Sequence, residues 1–224
     1  MTLDPGNIEA LVRKAYLDTQ KTTLYPTDDK AAQLAAAEAA LTKALSLAPE
    51  HAAAHATLGF VQFQTKRAVQ GIAQYERALA LDRNLARAHA GIGLAKLSIG
   101  RGEETEAHVQ EALRLSPRDT FAYLWLGIAG NGKLHLGKDD EAVIRFRGVL
   151  EINRNYPGAY FWLAAALAHL DRLDEAVSTV QAGLALDPAF TIRRYYAGAL
   201  SDNPIYLAQR ERVVEGLRRA GVPE

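Results

Sequence analysis

Apolar residues recur at three- and four-residue spacing along most of the chain, in paired stretches separated by short polar turns. Residues 100–103 and 170–174 form two of these polar segments. The spacing places the apolar side chains on one face of an α-helix, and a short turn between two such helices makes them antiparallel. The pattern therefore predicts a succession of antiparallel helix pairs.

The helix pairs repeat with a nearly constant period. A segment of the type Ala-Leu-x-Leu begins at Ala44, Ala78 and Ala112, at intervals of 34 residues; its counterparts begin 37 residues later at Val149 and a further 34 later at Gly183. A small residue recurs at the same intervals, at Gly59, Gly93, Gly127, Ala164 and Gly198. Two helices approach closely only where a side chain is nearly absent. We therefore expect these small residues at the helix crossings.

A 34-residue unit of two helices with this residue pattern resembles the tetratricopeptide repeat. One unit carries the pattern at His55, Leu58, Gly59, Tyr75 and Ala78, and the next at His89, Ile92, Gly93, Val109, Ala112 and Pro117. Two further units carry it at Tyr123, Leu126, Gly127, Ala142 and Phe146, and at Tyr160, Leu163, Ala164, Ala176, Val180 and Pro188. The resemblance covers roughly residues 18–190 and implies an all-α, right-handed superhelical solenoid of antiparallel helix pairs, with about 11–12 helices.

The pattern departs from the repeat in three places. Residues 8–22 read as an amphipathic helix, but residues 25–29 form a longer turn than the repeat allows, so the first unit of the 1–190 array is atypical. Three extra residues are expected within 128–136, where a helix longer by about one turn would absorb them. Residues 191–224 keep Gly198 and a second helix, and we expect a degenerate sixth unit that caps the stack.

Composition excludes several classes of function. The 26 basic and 26 acidic residues balance, so no nucleic-acid partner is predicted. The absence of cysteine removes disulfides, thiolate nucleophiles and cysteine-ligated metals, and it fits a reducing compartment. No stretch of 18 apolar residues is present, so no membrane contact is predicted. We expect a cytoplasmic protein.

The motifs that suggest chemistry are incomplete. Residues 127–134 nearly spell a phosphate-binding loop, but Leu134 stands where a Ser or Thr hydroxyl is required, and a helix rather than a strand precedes it. His51 and His55 are spaced for one helix face but lack a third metal ligand nearby. The sequence predicts no catalytic residue, no metal site, no cofactor and no enzymatic activity.

The resemblance implies that the first helix of each unit lines a concave groove. Read at helical spacing, that face is largely apolar, with Ala53, Ala56, Phe60 and Phe63; Arg87, Ala90, Leu94 and Leu97; Phe121, Leu124 and Ile128; and Phe161, Ala165 and Ala168. Relatives that clamp the carboxylate terminus of chaperone tails need Lys, Asn and Arg there, so that clamp is not predicted. An apolar surface of this extent favours a protein or peptide partner, such as an amphipathic helix.

In two alternatives the groove binds no other protein. Tight curvature, the inserted turn or the N-terminal helix would bury the apolar face within the chain. Self-association would close the groove in a homodimer and make the protein a structural or dimerisation element.

A narrower resemblance concerns the parent protein. The segments SDNPIYLAQRER (201–212) and EGLRRAGVPE (215–224) resemble the C-terminus of bacterial class III adenylate cyclases that carry such arrays, and residues 151–157 are similar to another stretch of those proteins. Related arrays follow winged-helix regulatory domains. Because Met1 is the single methionine, we expect an excised piece of a longer signalling protein; a short protein poor in methionine is the alternative.

Overall fold

The computed structural model describes residues 7–24 and 29–224, and this part of the chain contains twelve α-helices and no strand. The helices are α1 (Ile8–Leu24), α2 (Lys30–Leu47), α3 (Ala52–Gln64), α4 (Ala68–Leu81), α5 (Ala86–Ser98), α6 (Thr105–Leu115), α7 (Ala122–His135), α8 (Asp139–Ile152), α9 (Pro157–His169), α10 (Leu173–Leu186), α11 (Ile192–Ala197) and α12 (Pro204–Arg219). The predicted all-α solenoid of helix pairs is confirmed, as is a helix over residues 8–22. The longer turn expected at residues 25–29 falls largely on 25–28, outside the described residues.

Consecutive helices from α1 to α10 pack as five pairs, and the odd-numbered helices α3, α5, α7 and α9 also contact one another along the array. Two residues after the end of each of these four helices, the chain has a residue with positive φ: Lys66, Gly100, Gly137 or Asp171. The next residue donates its backbone N–H to a carbonyl five residues back, as in Arg67 to Gln62 and Arg172 to Leu167. This C-terminal cap satisfies carbonyls that the helix leaves free and turns the chain into the second helix of the pair.

Small residues set the distance between paired helices. A Cβ atom on Gly59 would lie 2.9 Å from the carbonyl oxygen of Gly71, and one on Gly71 would lie 2.7 Å from that of Gly59. A Cβ on Gly93 would lie 3.2 Å from the carbonyl oxygen of Thr105. The helices cross where side chains are absent, as expected from the repeat, and residues such as Phe146 and Val109 fill the space beside the crossings.

The location predicted for the three extra residues, within 128–136, is wrong. The connection between α6 and α7 has six residues, where the connections before α3, α5 and α9 have four, and α7 has 14 residues where those three helices have 13. In α3, α5 and α9, the small residue at the crossing lies seven residues before the positive-φ residue, at Gly59, Gly93 and Ala164. In α7 the residue at that distance is Gly130. The insertion therefore lies before Gly130, and α7 is one residue longer rather than one turn.

The period selected Gly127 as the crossing residue, but α7 contains three glycines and spacing alone does not distinguish them. A Cβ on Gly127 would meet nothing closer than 3.9 Å, whereas one on Gly130 would lie 2.6 Å from the ring of Phe146. Gly130 is the residue at the crossing of α7 with α8. Its counterpart Ala164 follows 34 residues later, so the regular period returns there.

Residues 191–224 form two helices that do not pack as a regular pair. Helix α12 packs mainly on α9 and α7 and makes few contacts with α11. Its path runs along the C-terminal ends of the odd-numbered helices, with Ile205 beside Gly100 and Gly216 beside Ala165. The predicted sixth unit is therefore not a continuation of the stack, because the apolar face of α12 is buried across the edge of the array instead.

Polar contacts hold α12 in place. The guanidinium of Arg212 donates to the backbone carbonyl of Leu134 at 3.0 Å and to both carboxylate oxygens of Asp139. The side chain of Asp139 is 8% exposed and that of Arg212 is 32% exposed, so this ion pair is partly shielded from solvent. The imidazole of His169 also bonds through Nε2 to the carbonyl of Arg212, at 2.8 Å. The C-terminus is thus anchored to α7, α8 and α9.

Candidate functional site

A groove with a volume of about 1150 Å³ runs along the odd-numbered helices. It brings together twelve of the positions that the sequence pattern assigned to the concave face: Ala53, Ala56, Phe60, Phe63, Arg87, Ala90, Leu94, Leu97, Phe121, Leu124, Ile128 and Phe161. Ala165 and Ala168 are fully buried and lie outside the groove. Helix α12 covers this part of α9, since Gly216 lies against Ala165.

The lining residues differ in how much solvent they reach. Ala53 and Arg87 are exposed, and Ala56, Phe60, Leu94, Phe121, Leu124 and Ile128 are half-buried. Phe63, Ala90, Leu97 and Phe161 are buried. At the C-terminal end the chain covers its own apolar face with α12, which was not among the elements expected to do so. The middle of the groove remains accessible.

Several lining residues were not foreseen from the sequence. Val12 and Tyr16 of α1 close one side, and Tyr195, Tyr206 and Arg210 reach the groove from the C-terminal segment. No periodic signal connects these positions to the repeats. Asn131 and His135 also line the groove. Helical spacing could have indicated them, because they follow Leu124 and Ile128 on the same face of α7.

Arg87 stands at the rim between two aromatic rings. Its guanidinium carbon lies 4.6 Å from the ring centroid of Tyr16 and 5.8 Å from that of Phe121. Burial raises the pKa of the Tyr16 hydroxyl, against the opposing effect of the Arg87 charge. Cation–π contacts of this kind link α1, α5 and α7 across the groove.

His135 and Arg210 lie at the edge of the groove where α12 meets α7. The ring of His135 lies 5.5 Å from that of Tyr206, and its side chain is buried. The guanidinium of Arg210 lies over the ring of Tyr195 at 4.2 Å and donates from Nη2 to the backbone carbonyl of the same residue. Burial lowers the pKa of His135 to about 4, helped by the Arg210 charge and opposed by Gln209. His135 is therefore neutral at physiological pH.

The low pKa of His135 predicts acid destabilisation. The folded protein takes up the His135 proton only near pH 4, while the unfolded chain takes it up near pH 6.5. The stabilising contribution is complete above pH 6.5 and falls as the pH drops towards 4, by up to about 3 kcal/mol. Urea denaturation of wild type and His135→Phe across this range measures the effect, because phenylalanine keeps the aromatic contact but cannot titrate. Parallel pH profiles for the two proteins would contradict the prediction.

The other candidate motifs have structural roles. His51 caps α3 by accepting the N–H of Ala54, and its other ring nitrogen contacts Glu9. Both ring nitrogens of His55 are also used, by Gln74 and the carbonyl of Pro49. Residues 127–134 lie within α7, so their N–H groups are used in helix bonds. Within residues 7–24 and 29–224, no three His, Asp or Glu side chains group as metal ligands would.

Comparisons with known proteins agree with this architecture. Residues 134–202 match the family model described as tetratricopeptide repeat. PilF of Pseudomonas aeruginosa superimposes with a TM-score of 0.67 at 22% identity, over 93% of this chain and 88% of that one. The chain has the tetratricopeptide repeat fold. The array also resembles TTC0263 of Thermus thermophilus, with a TM-score of 0.65 at 18% identity, over 94% and 99% of the two chains.

A third similar structure is YrrB, described as a tetratricopeptide repeat protein with an unusual peptide-binding site. It superimposes with a TM-score of 0.56 at 26% identity, over 80% of this chain and 90% of that one. No curated protein matches the sequence significantly. None of the helices in the described part of the chain is both long and apolar enough to cross a lipid bilayer. The tetratricopeptide repeat fold suggests protein–protein interaction or peptide binding.

Proposed function

We propose that this protein binds a short apolar segment of a partner protein in the groove of its repeat array. The observation that carries the proposal is the accessible apolar lining in the middle of the groove, where Phe60, Leu94, Phe121, Leu124 and Ile128 are only half-buried. Contiguous apolar surface of this kind is costly to leave in water and marks interaction sites. The peptide-binding site of the similar protein YrrB supports the same reading.

The dimensions of the groove limit the length of its ligand. Packed helices lie about 8–10 Å apart, so a ligand helix that crosses α3, α5 and α7 spans roughly 16–20 Å, or about ten to thirteen residues at about 1.5 Å per residue. A segment that presents apolar residues at three- and four-residue spacing would place them against α3, α5 and α7. The proposed ligand is therefore one amphipathic segment rather than a folded domain.

Peptide selection tests the proposal even though the partner is unidentified. A displayed library of random peptides about ten residues long is selected on the immobilised protein, and the selected peptides are synthesised and titrated by calorimetry. We expect selected peptides with apolar residues at helical spacing that bind with one-to-one stoichiometry. Selection of no peptide, or of peptides whose binding is insensitive to substitutions within the groove, would reject the function.

A second copy of the chain is the alternative occupant. Light scattering over a concentration series, up to the order of tens of micromolar, separates the two cases because self-association follows mass action. A monomer throughout this range supports an open groove. A stable dimer whose interface buries Phe60, Leu94 and Phe121 would instead make the array a dimerisation element.

For the parent protein, we propose a bacterial adenylate cyclase-like signalling protein of the cytoplasm, in which this array is a regulatory or scaffolding tail. Support comes from the resemblance of residues 201–212 and 215–224 to the C-terminus of such cyclases. Any catalytic residue would lie in another domain of that parent. Sequencing the coding region upstream of Met1 tests this: a cyclase domain supports it, and a winged-helix domain would favour a transcriptional regulator.

A further inference from the structure

Arg210 is a charged residue in the wall of the groove, and two of its guanidinium nitrogens are buried without a hydrogen-bond partner. Arg210 is 3% exposed and lines the groove from α12. Its Nη2 donates to the carbonyl of Tyr195, but Nε and Nη1 have no hydrogen-bond partner in the structure. A buried guanidinium is normally paired and hydrogen-bonded on most of its five N–H groups. Among the residues that the structure describes, Arg210 therefore lacks an anionic partner.

The surrounding carboxylates are engaged elsewhere. Asp139 pairs with Arg212, Asp187 pairs with Arg194, and Asp202 pairs with Lys66. Glu211, the neighbour of Arg210 in sequence, accepts the hydroxyl of Tyr196 at 2.6 Å. Within the described part of the chain, no carboxylate lies within ion-pair distance of Arg210. The missing partner is thus not supplied by these residues.

The guanidinium of Arg210 is held in position by aromatic rings. Tyr195 lies 4.2 Å and Tyr206 5.7 Å from the guanidinium carbon, and His135 packs against Tyr206. A neutral His135 does not compete for an anion. The planar fork of an arginine fixed in this way matches the two oxygens of a carboxylate, and the bond strengthens where water is excluded.

We propose that Arg210 binds the side-chain carboxylate of a glutamate or aspartate in the partner segment. This inference rests on the proposed peptide-binding function and names the polar contact that would orient the apolar segment. The donor belongs to α12, which lies outside the helix pairs. It is therefore distinct from a clamp built on the concave helices, whose positions here are mainly Ala, Phe and Leu.

The position of Arg210 favours a side chain over a chain terminus. Helix α12 follows the edge of the groove from Gly100 at the end of α5 to Ala165 of α9. Arg210 lies between Ile205 and Gly216 on this path and lines the same groove as Leu94, Leu97 and Phe161. A segment that lies along the groove therefore passes Arg210 and meets it with a side chain.

Small carboxylates test the site independently of any peptide. The probe is hexanoate, which carries an apolar tail, and its matched control is the neutral hexanamide. The Nε–H resonance of Arg210 is followed by NMR in the full protein and assigned by its loss in Arg210→Met. We expect hexanoate to shift this resonance and to bind at least about tenfold more tightly than hexanamide. An unchanged Arg210 resonance with hexanoate would overturn the inference.

Two arginine variants separate a specific site from general attraction of anions. Arg210→Met should abolish the preference for hexanoate, with a thermal midpoint equal to or above that of wild type, because it removes an unpaired buried charge. Arg77→Met, at an exposed position on α4 outside the groove, should keep the preference. Loss of the preference in Arg77→Met, or its persistence in Arg210→Met, would contradict the assignment to Arg210.

Peptides then distinguish this inference from the proposed function. Each selected peptide is compared with a Glu→Gln or Asp→Asn version, all with amidated C-termini. We expect one acidic position whose neutralisation weakens binding at least about tenfold in wild type and has no effect in Arg210→Met. Tight binding of peptides that are indifferent to neutralisation would reject the role of Arg210 and leave groove binding intact. A requirement for a free C-terminal carboxylate would also reject it.

Discussion

Gly216→Leu is expected to lower the free energy of unfolding by about 3 kcal/mol or more and to detach α12 from the array, since overpacking a close contact costs this order of energy. A Cβ atom at Gly216 would lie 2.7 Å from the carbonyl oxygen of Ala165 and 2.8 Å from Nε2 of His169. The first of these is backbone within α9, which cannot move aside as a flexible side chain can. The bond from His169 to the carbonyl of Arg212 should be lost as well.

The consequence would be visible in several measurements. Hydrogen exchange of the α12 amides should accelerate while amides in α3–α6 keep their protection, because repeat arrays transmit stability mainly between neighbours. Chemical denaturation should give the change in free energy. The groove should also lose the side formed by Tyr206 and Arg210.

Gly148 provides the matched control. It lies inside α8, and a Cβ placed there meets nothing within 4 Å. Gly148→Leu should therefore raise stability by roughly 0.5–1 kcal/mol, the helix-propensity difference between the two residues. Equal effects of the two substitutions would show that steric contact with α9 does not hold α12 in place.

Phe60→Glu combined with Leu94→Glu should weaken the binding of groove-selected peptides by at least about 100-fold, because two central apolar contacts are lost and two carboxylates must be desolvated. Phe60 and Leu94 line the accessible middle of the groove and pack around the same buried cluster as Phe63 and Ala95. Calorimetric titration of wild type and the double variant measures the effect. Circular dichroism verifies that the helices persist.

The control places the same two charges on the outer helices. Val69 of α4 is 66% exposed and Ile144 of α8 is 67% exposed, and neither lines the groove. Val69→Glu combined with Ile144→Glu should leave peptide affinity unchanged within about twofold, since surface substitutions away from an interface have small effects. Unchanged affinity in the folded Phe60→Glu, Leu94→Glu protein would show that the peptides bind another surface.

The sequence was most informative where contacts are local. The period located the helix pairs, and three- and four-residue spacing placed Phe60, Leu94 and Ile128 on one face, where the groove has them. It failed at the insertion, because Gly127, Gly130 and Gly132 all stand on α7 and spacing alone cannot tell which glycine meets the neighbouring helix. Phe146, whose ring occupies that place, is a tertiary contact.

The site was predicted in its repeat-derived part and missed in its C-terminal part. Phe161, one of the residues assigned to the groove, lines it, whereas Ala165 and Ala168, also assigned to it, are buried and lie outside it. Tyr195, Tyr206 and Arg210 were not candidates, since they lie in the segment that was expected to cap the stack. Their role depends on where α12 packs. An apolar face predicts that a helix is buried on that side, but it does not specify which element covers it.

The chain's period and helical spacing alone specify a succession of helix pairs, their order and the face that the first helices of the pairs share, because in a repeat array each unit contacts mainly its neighbours in sequence. The path of α12 depends on contacts between distant residues, such as Lys66 with Asp202 and Arg212 with Asp139. These contacts cannot be recognised from the repeat pattern, since each occurs once and joins residues that are far apart in the sequence. Only the tertiary structure therefore determines that α12 covers one end of the groove and that Arg210 is buried at its edge.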